Sequence, residues 1–210
     1  MEDMRFIVIR HAESQWNREG IIQGQFDSPV TPHGHRQIAA LMAALKDIPF
    51  TQFFSSPSGR AMTTAQALAA HCQCEVSSDA RLHEQHFGYL QGQPYHQAMR
   101  NHRETFTRIF AGDPTAAAPE GESAMDVARR MSAFFLGFSP FQRGTFGVVT
   151  HGHALQALIW QLKGGDWMED ISKYNHPSCG YSVIEVNHGR LQLQSWGIAT
   201  HLRALHPAPI

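Results

Sequence analysis

Residues 6–17, FIVIRHAESQWN, constrain the fold more than any other stretch of this chain. Phe6, Ile7, Val8 and Ile9 run together with no polar alternation, which predicts a strand buried on both faces. The run breaks off into Arg10 and His11, both poor core residues. In an open α/β sheet, ligands bind in the crevice beyond the carboxyl ends of the strands. Arg10 and His11 are therefore expected in such a crevice, handling an anion.

The rest of the first eighty residues continues the theme. A polar loop over residues 12–32 precedes Thr31-Pro32, a cap and first-turn proline that start a helix continuing through residues 37–45. A second strand is expected over residues 51–54, ending at Ser55-Ser56-Pro57. A second helix follows at 61–71 after Ser58-Gly59-Arg60, and a third strand at 75–77. Alternating strand and helix is the pattern of a parallel sheet wound with crossover helices. Residues 81–122 interrupt it with mixed aromatic and basic side chains, and are read as a small lid over the sheet with helix around residues 94–111. Ser123 and Asp126 then make a capping-box-like start for a helix reaching about Gly137. Another buried strand, residues 146–150, ends in His151-Gly152-His153 and an apolar helix over residues 154–162. Two strand-like runs, 181–186 and 191–196, flank Asn187-His188-Gly189, which suits a tight hairpin. The tail after Thr200, with Pro207 and Pro209, is expected to fray.

A chain of 210 residues is long enough for one substantial core, so a single domain spanning residues 1–210 is expected, with the lid at about 81–122. A net charge of −1 gives no global field that points to nucleic acid, although a local cluster can still be strongly positive. Cys72, Cys74 and Cys179 are an odd set with no framework spacing, and are read as ordinary thiols. The first strand begins too early to leave room for a signal peptide, and no apolar run approaches the ~20 residues of a membrane span. A cytoplasmic enzyme or binding protein fits these features.

Three expected strands thus end in groups capable of chemistry: Arg10 and His11, then Arg60 through Ser-Ser-Pro, then His151 and Gly152. Parallel strands put their carboxyl ends on one edge, and helix N-termini there favour an anion. Two guanidiniums and two imidazoles in one crevice describe a phosphate pocket. A neutral imidazole can attack phosphorus, with the arginines stabilising charge on the equatorial oxygens. The leaving oxygen needs a proton, and Glu84, among Leu82, Phe87 and Tyr89, is the candidate acid because partial desolvation favours its neutral form. Each residue also has an ordinary reading. Arg10 can be a surface arginine, His11 a loop histidine, and Glu84 a solvated charge. His151-x-His153 can be half of a zinc site, although no carboxylate or cysteine partner is evident and His153 can lie on a helix surface. The combination at strand ends carries the case.

That combination resembles the histidine phosphatase superfamily, in the branch containing cofactor-dependent phosphoglycerate mutases and small broad-specificity phosphatases. FIVIRHAESQWNREGIIQGQFDSPVTPHGHRQ is similar to its signature almost throughout. SSPSGRAMTTA, LHEQHFGYLQG, PEGES and VVTHGHAL resemble the later segments, in the right order up to about residue 160. Ala12 departs from the glycine usual after the histidine. The resemblance implies a three-layer αβα sandwich around a mostly parallel, doubly wound sheet of about six strands. It implies His11 as the phosphorylated nucleophile, with Arg10, Arg60 and His151 around the phosphoryl group, and Glu84 as general acid and then base. It implies Asn17, Gln23 and the Gly152 amide as further phosphate-loop groups, and a structural hydrogen bond for Ser14. No metal or organic cofactor is expected. The partner expected is a small phosphorylated substrate, not nucleic acid or membrane, and a homodimer is left open.

The mutases of this branch carry an arginine directly after the acid and a longer excursion with an adjacent arginine pair. Here Gln85 follows Glu84, and Arg100, Arg103 and Arg108 are scattered in a short lid. Losing a bidentate carboxylate partner weakens glycerate binding, so hydrolysis of a phosphomonoester is favoured over mutase activity. A third reading, a non-catalytic phosphate-binding or interaction module, would normally show a lost nucleophile or acid, and none is lost here.

Overall fold

The N-terminal apolar run forms β1 (Met4–Arg10), and its position explains its composition. It lies inside a six-stranded sheet of order β3-β2-β4-β1-β5-β6 in a computed structural model that describes residues 4–139, 141–166, 168–187 and 189–205. β2 (Phe50–Ser55), β3 (Val76–Ser78) and β4 (Gly144–Thr150) run parallel to β1 and to one another. β5 (Tyr181–Asn187) and β6 (Arg190–Ile198) run antiparallel, β5 pairing with β1 and then with β6. The fold is α/β, with helices on both faces of a mostly parallel sheet.

Alternation along β1 assigns its side chains to two cores. Phe6 and Val8 join Phe146, Val148 and Ile184 beneath α6 (Ala124–Leu136) and α7 (Gly152–Leu162). Phe6 meets Phe135 and Phe138 edge-on, each at 5.0 Å between ring centroids. Emptying a fully buried phenylalanine site of this kind costs roughly 3–5 kcal/mol. Ile7 and Ile9 face the other side, with Phe53 and Val149, under α2 (Pro32–Leu45) and α3 (Gly59–Cys72). Gly147 is required in β4 because a Cβ there would lie 2.2 Å from the Phe53 ring.

The helix signals act as read. Thr31 Oγ1 accepts the Gly34 N–H at 2.9 Å, with Pro32 in the first turn of α2. Ser123 and Asp126 close a reciprocal capping box on α6. Two readings need correction. The loop over residues 12–32 contains a short helix, α1 (Gln15–Glu19), held by Ser14 and Asn17 bonding each other's ends. The tail does not fray at once: Thr200–Leu205 is a 3₁₀ turn that packs Leu202 into the core beside α2. Pro207, Pro209 and the His188 of the hairpin lie outside the described residues.

Residues 81–122 form two 3₁₀ turns, Ala80–Leu82 and Gly88–Leu90, then α4 (Tyr95–Asn101) and α5 (Arg103–Phe110), broken at His102. They carry their own small apolar cluster of Phe87, Leu90, Ala98 and Ile109, joined by Ile22 from the α1 loop. Among the described residues no helix is long and apolar enough to cross a membrane.

Candidate active site

The parallel pairing sets Arg10 opposite Thr150 and Ser55 opposite Val149, so β1, β2 and β4 end together on one edge. A cavity of about 350 Å³ opens there. Arg10, His11, Arg60, Glu84 and Gly152 line its inner end, with Asn17 and Gln23 from the loop after β1. Of the eight site residues expected from sequence, His151 alone is not in the wall. It is fully buried beside His11, ring centroids 5.0 Å apart, with Nε2 hydrogen-bonded to Ser56 Oγ at 2.8 Å and Nδ1 unpartnered.

His11 is 2% exposed, and its hydrogen bonds fix its tautomer. Nδ1 faces the Ala12 carbonyl at 2.7 Å; a carbonyl only accepts, so Nδ1 carries the proton. Nε2 is then a lone pair, and the Arg60 Nε–H donates to it at 3.2 Å. Burial first, then Arg60 and Arg10, hold the His11 pKa well below the usual histidine value. The ring is a neutral base whose free electron pair lies against an arginine. Ala12 fits where glycine is usual: its methyl is buried in the α2–α3 core and its N–H donates to Thr64 Oγ1.

Arg60, on the first turn of α3, is 1% exposed. Its Nη1 donates to the Phe26 carbonyl at 2.6 Å and to Asp27 at 3.0 Å, and Nη2 donates to the Gly24 carbonyl at 2.8 Å. The guanidinium is thus aimed by the loop it closes. Arg10 is held from the opposite side: its Nη1 donates to the His176 carbonyl, and its Nε is buried with no partner. A Cβ on Gly152 would stand 3.3 Å from the Arg10 guanidinium, so glycine lets that group lie against the start of α7. Asn17 and Gln23 have their carboxamide oxygens occupied by Ser14, and Gln23 also by Ser28, which leaves their NH₂ groups as donors. Ser14 is fully buried, and its Oγ–H donates to Gln23 Oε1 at 3.1 Å.

Glu84 is 7% exposed, as the apolar neighbours implied. Its carboxylate sits on the N-terminus of α7, taking N–H bonds from Ala154 at 2.8 Å, His153 at 3.2 Å and Gln85 at 2.9 Å. The surroundings of Glu84 are therefore not only apolar: three backbone N–H groups hold its carboxyl group at the start of α7.

Several wall residues were not legible. His153, read as a surface residue, packs edge-on against Phe87 and Phe110 at 5.0 and 5.2 Å and lines the cavity. Gln156, one helical turn on, faces the same way, and this i, i+3 spacing was the available signal. Ser172 lies in a 3₁₀ turn, Ile171–Tyr174, and Asn175 directly follows it; neither carries a sequence mark. Among the described residues, no three His, Cys, Asp or Glu side chains converge as a metal site.

Known proteins resemble this chain in sequence and in fold. The profile of the Histidine phosphatase superfamily (branch 1) matches residues 6–199. The probable phosphoglycerate mutase GpmB of Klebsiella pneumoniae subsp. pneumoniae is 33% identical over 162 residues, covering 77% of this chain and 75% of that protein. YhfR of Bacillus stearothermophilus superposes with a TM-score of 0.85 at 25% identity, over 95% of this chain and 100% of that one. The alpha-ribazole phosphatase of Shigella flexneri gives 0.80 at 25%, over 94% and 99%. This chain is therefore a member of the histidine phosphatase superfamily, branch 1.

Proposed function

We propose that this chain hydrolyses phosphomonoesters through a covalent phosphohistidine on His11. The observation that carries the reading is the neutral His11 Nε2 lone pair, capped by an arginine N–H at the inner end of a cavity. Solved structures with this fold that are named as phosphatases support it.

In the first step His11 Nε2 bonds phosphorus and the ester P–O bond breaks. Arg60 Nε–H leaves the imidazole for a phosphoryl oxygen, and the unpartnered Arg10 Nε–H takes another. The Ala12 carbonyl faces the Nδ1–H as positive charge develops on the ring. A proton on Glu84 passes to the leaving alkoxide. In the second step water attacks phosphorus, gives its proton to the Glu84 carboxylate, and frees His11. His151 assists from beside His11, and Asn17, Gln23 and the Gly152 amide contribute donors. Neither metal nor organic cofactor takes part.

Mutase activity, suggested by the name of the Klebsiella relative, needs a counter-ion for the glycerate carboxylate. Position 85 does not supply one: Gln85 is buried and its side-chain amide donates to the Glu122 carbonyl, outside the cavity wall. The reading treats residues 81–122 as the lid of one phosphatase domain. It takes the enzyme to be cytoplasmic, which three free thiols support, and to act alone or as a homodimer on a small molecule rather than on nucleic acid or membrane.

The test is a labelled phosphate ester quenched during turnover. A phosphoenzyme that is acid-labile and base-stable is expected, and His11→Ala should abolish it together with turnover. Turnover persisting in that variant would sink the covalent mechanism.

A further inference from the structure

Beyond the phosphate groups the cavity has a second half, built from different material. One side is aromatic. Phe87 and Phe110 stack at 5.3 Å, and Tyr95 meets Phe110 edge-on at 5.1 Å. The facing side carries uncharged hydrogen-bonding groups. The Gln156 amide nitrogen reaches only Asn175 Oδ1, at a long 3.5 Å, and no hydrogen bond from the described residues is made to its Oε1. Ser172 completes that side.

Charge is distributed unevenly along the cavity. Arg10 and Arg60 are the arginines or lysines among the described wall residues, and both belong to the phosphate end. The lid arginines do not compensate. Arg108 is paired with Asp113, and with Arg103 it lines a separate surface groove. His153 is kept neutral by burial. A ligand group entering here finds flat apolar surface and amide or hydroxyl partners, but no counter-ion.

We infer that the preferred substrate is the phosphomonoester of an uncharged alcohol bearing a ring, the ring against Phe87, Tyr95 and Phe110 and its polar groups toward Gln156 and Asn175. This rests on the phosphatase reading above and narrows it. A nucleoside stacks its base on such a wall, and a sugar its C–H face; both are uncharged rings with hydroxyl groups. Esters whose leaving group carries its own carboxylate, such as phosphoglycerate and phosphoserine, leave that carboxylate desolvated and unpaired.

The experiment is a kcat/KM panel on the full chain with a nucleoside monophosphate, a hexose monophosphate, phosphoglycerate, phosphoserine and ethyl phosphate. One or both ring esters should exceed the two carboxylate esters by about a hundredfold, the scale on which an apolar pocket rejects an added polar group. Which ring ester leads separates base from sugar. Phe110→Ala should lower the ring esters about tenfold more than it lowers ethyl phosphate, by loss of stacking. Asn175→Lys, at an exposed position that tolerates the change, should raise phosphoglycerate relative to the ring esters by about tenfold through a new counter-ion. Phosphoglycerate equal to or better than every ring ester would overturn the inference while leaving the phosphatase reading intact. Equal losses for all esters in Phe110→Ala would also overturn it. No hydrolysis of any ester would instead remove the phosphatase reading itself.

Discussion

At the phosphate end of the cavity nearly every polar group is committed twice, once to the site and once to the scaffold. Arg60 is spent on two loop carbonyls and Asp27, Glu84 on three backbone amides, Gln23 on two serines. At the leaving-group end Tyr95 and Phe110 are placed by ring contacts within two short helices, and Asn175 and Tyr95 reach solvent. The first end stands on sheet and long helices, the second on an excursion with its own small cluster. On the mechanism proposed here, the contrast teaches a division of labour: the groups assigned to phosphorus are over-determined, while those assigned to the alcohol stand on an excursion apart from the sheet.

Damage at the over-determined end should be large and blind to substrate. Arg60→Ala is expected to lower kcat/KM about a thousandfold on every ester, the scale of removing a charged phosphoryl donor. Steady-state rates on an activated and an unactivated ester check this, and strong dependence on the alcohol would break the contrast. Glu84→Gln probes the border between the ends. It should cost roughly a hundredfold on alkyl phosphates and only a few-fold on nitrophenyl phosphate, whose leaving group needs little protonation. Equal losses would remove Glu84 from the acid role.

The remaining prediction concerns stability rather than rate. Behind Arg10, His176 is fully buried, and burial lowers its pKa to about 4. Its Nδ1 faces the Tyr174 carbonyl and its Nε2 faces Ser182 Oγ at 2.6 Å, an arrangement suited to the neutral ring. The unfolded chain binds a proton near pH 6.5 and the folded chain does not, so folded stability falls as pH drops from about 6.5 toward 4. The loss from this residue is about 3 kcal/mol. Denaturant unfolding at pH 7 and pH 4 measures it, and His176→Asn should show a shallower decline. An unchanged midpoint across that range would mean the support behind Arg10 is not held by a neutral imidazole.

The over-determined end was the legible one. Arg10, His11, Arg60 and His151 announce themselves because a buried strand cannot end in a charge without reason, and parallel topology then gathers strand ends at one edge. Glu84 was found by the need for a proton, not by pattern. What stayed hidden came from contacts far apart in the chain. Asn175 meets Gln156, and His176 offers only its carbonyl to Arg10, a contact no side-chain signal marks. His153 was misjudged because α7 is buried nearly all round, so helical periodicity could not tell which face met the lid. The α1 helix was missed because its five residues show no apolar stripe.

The place of β1 has a consequence for how the molecule comes into being. Met4 is paired on one side with Gly144 and on the other with Val186. During synthesis the strand that leads into His11 therefore emerges before both neighbours and waits for them, and closing such distant pairs is slow. A nascent chain lacking β5 exposes Ile7, Val8 and Ile9 along an unpaired edge and has no loop carbonyl to aim Arg10. The part of the candidate site that is made first is thus the last to be completed.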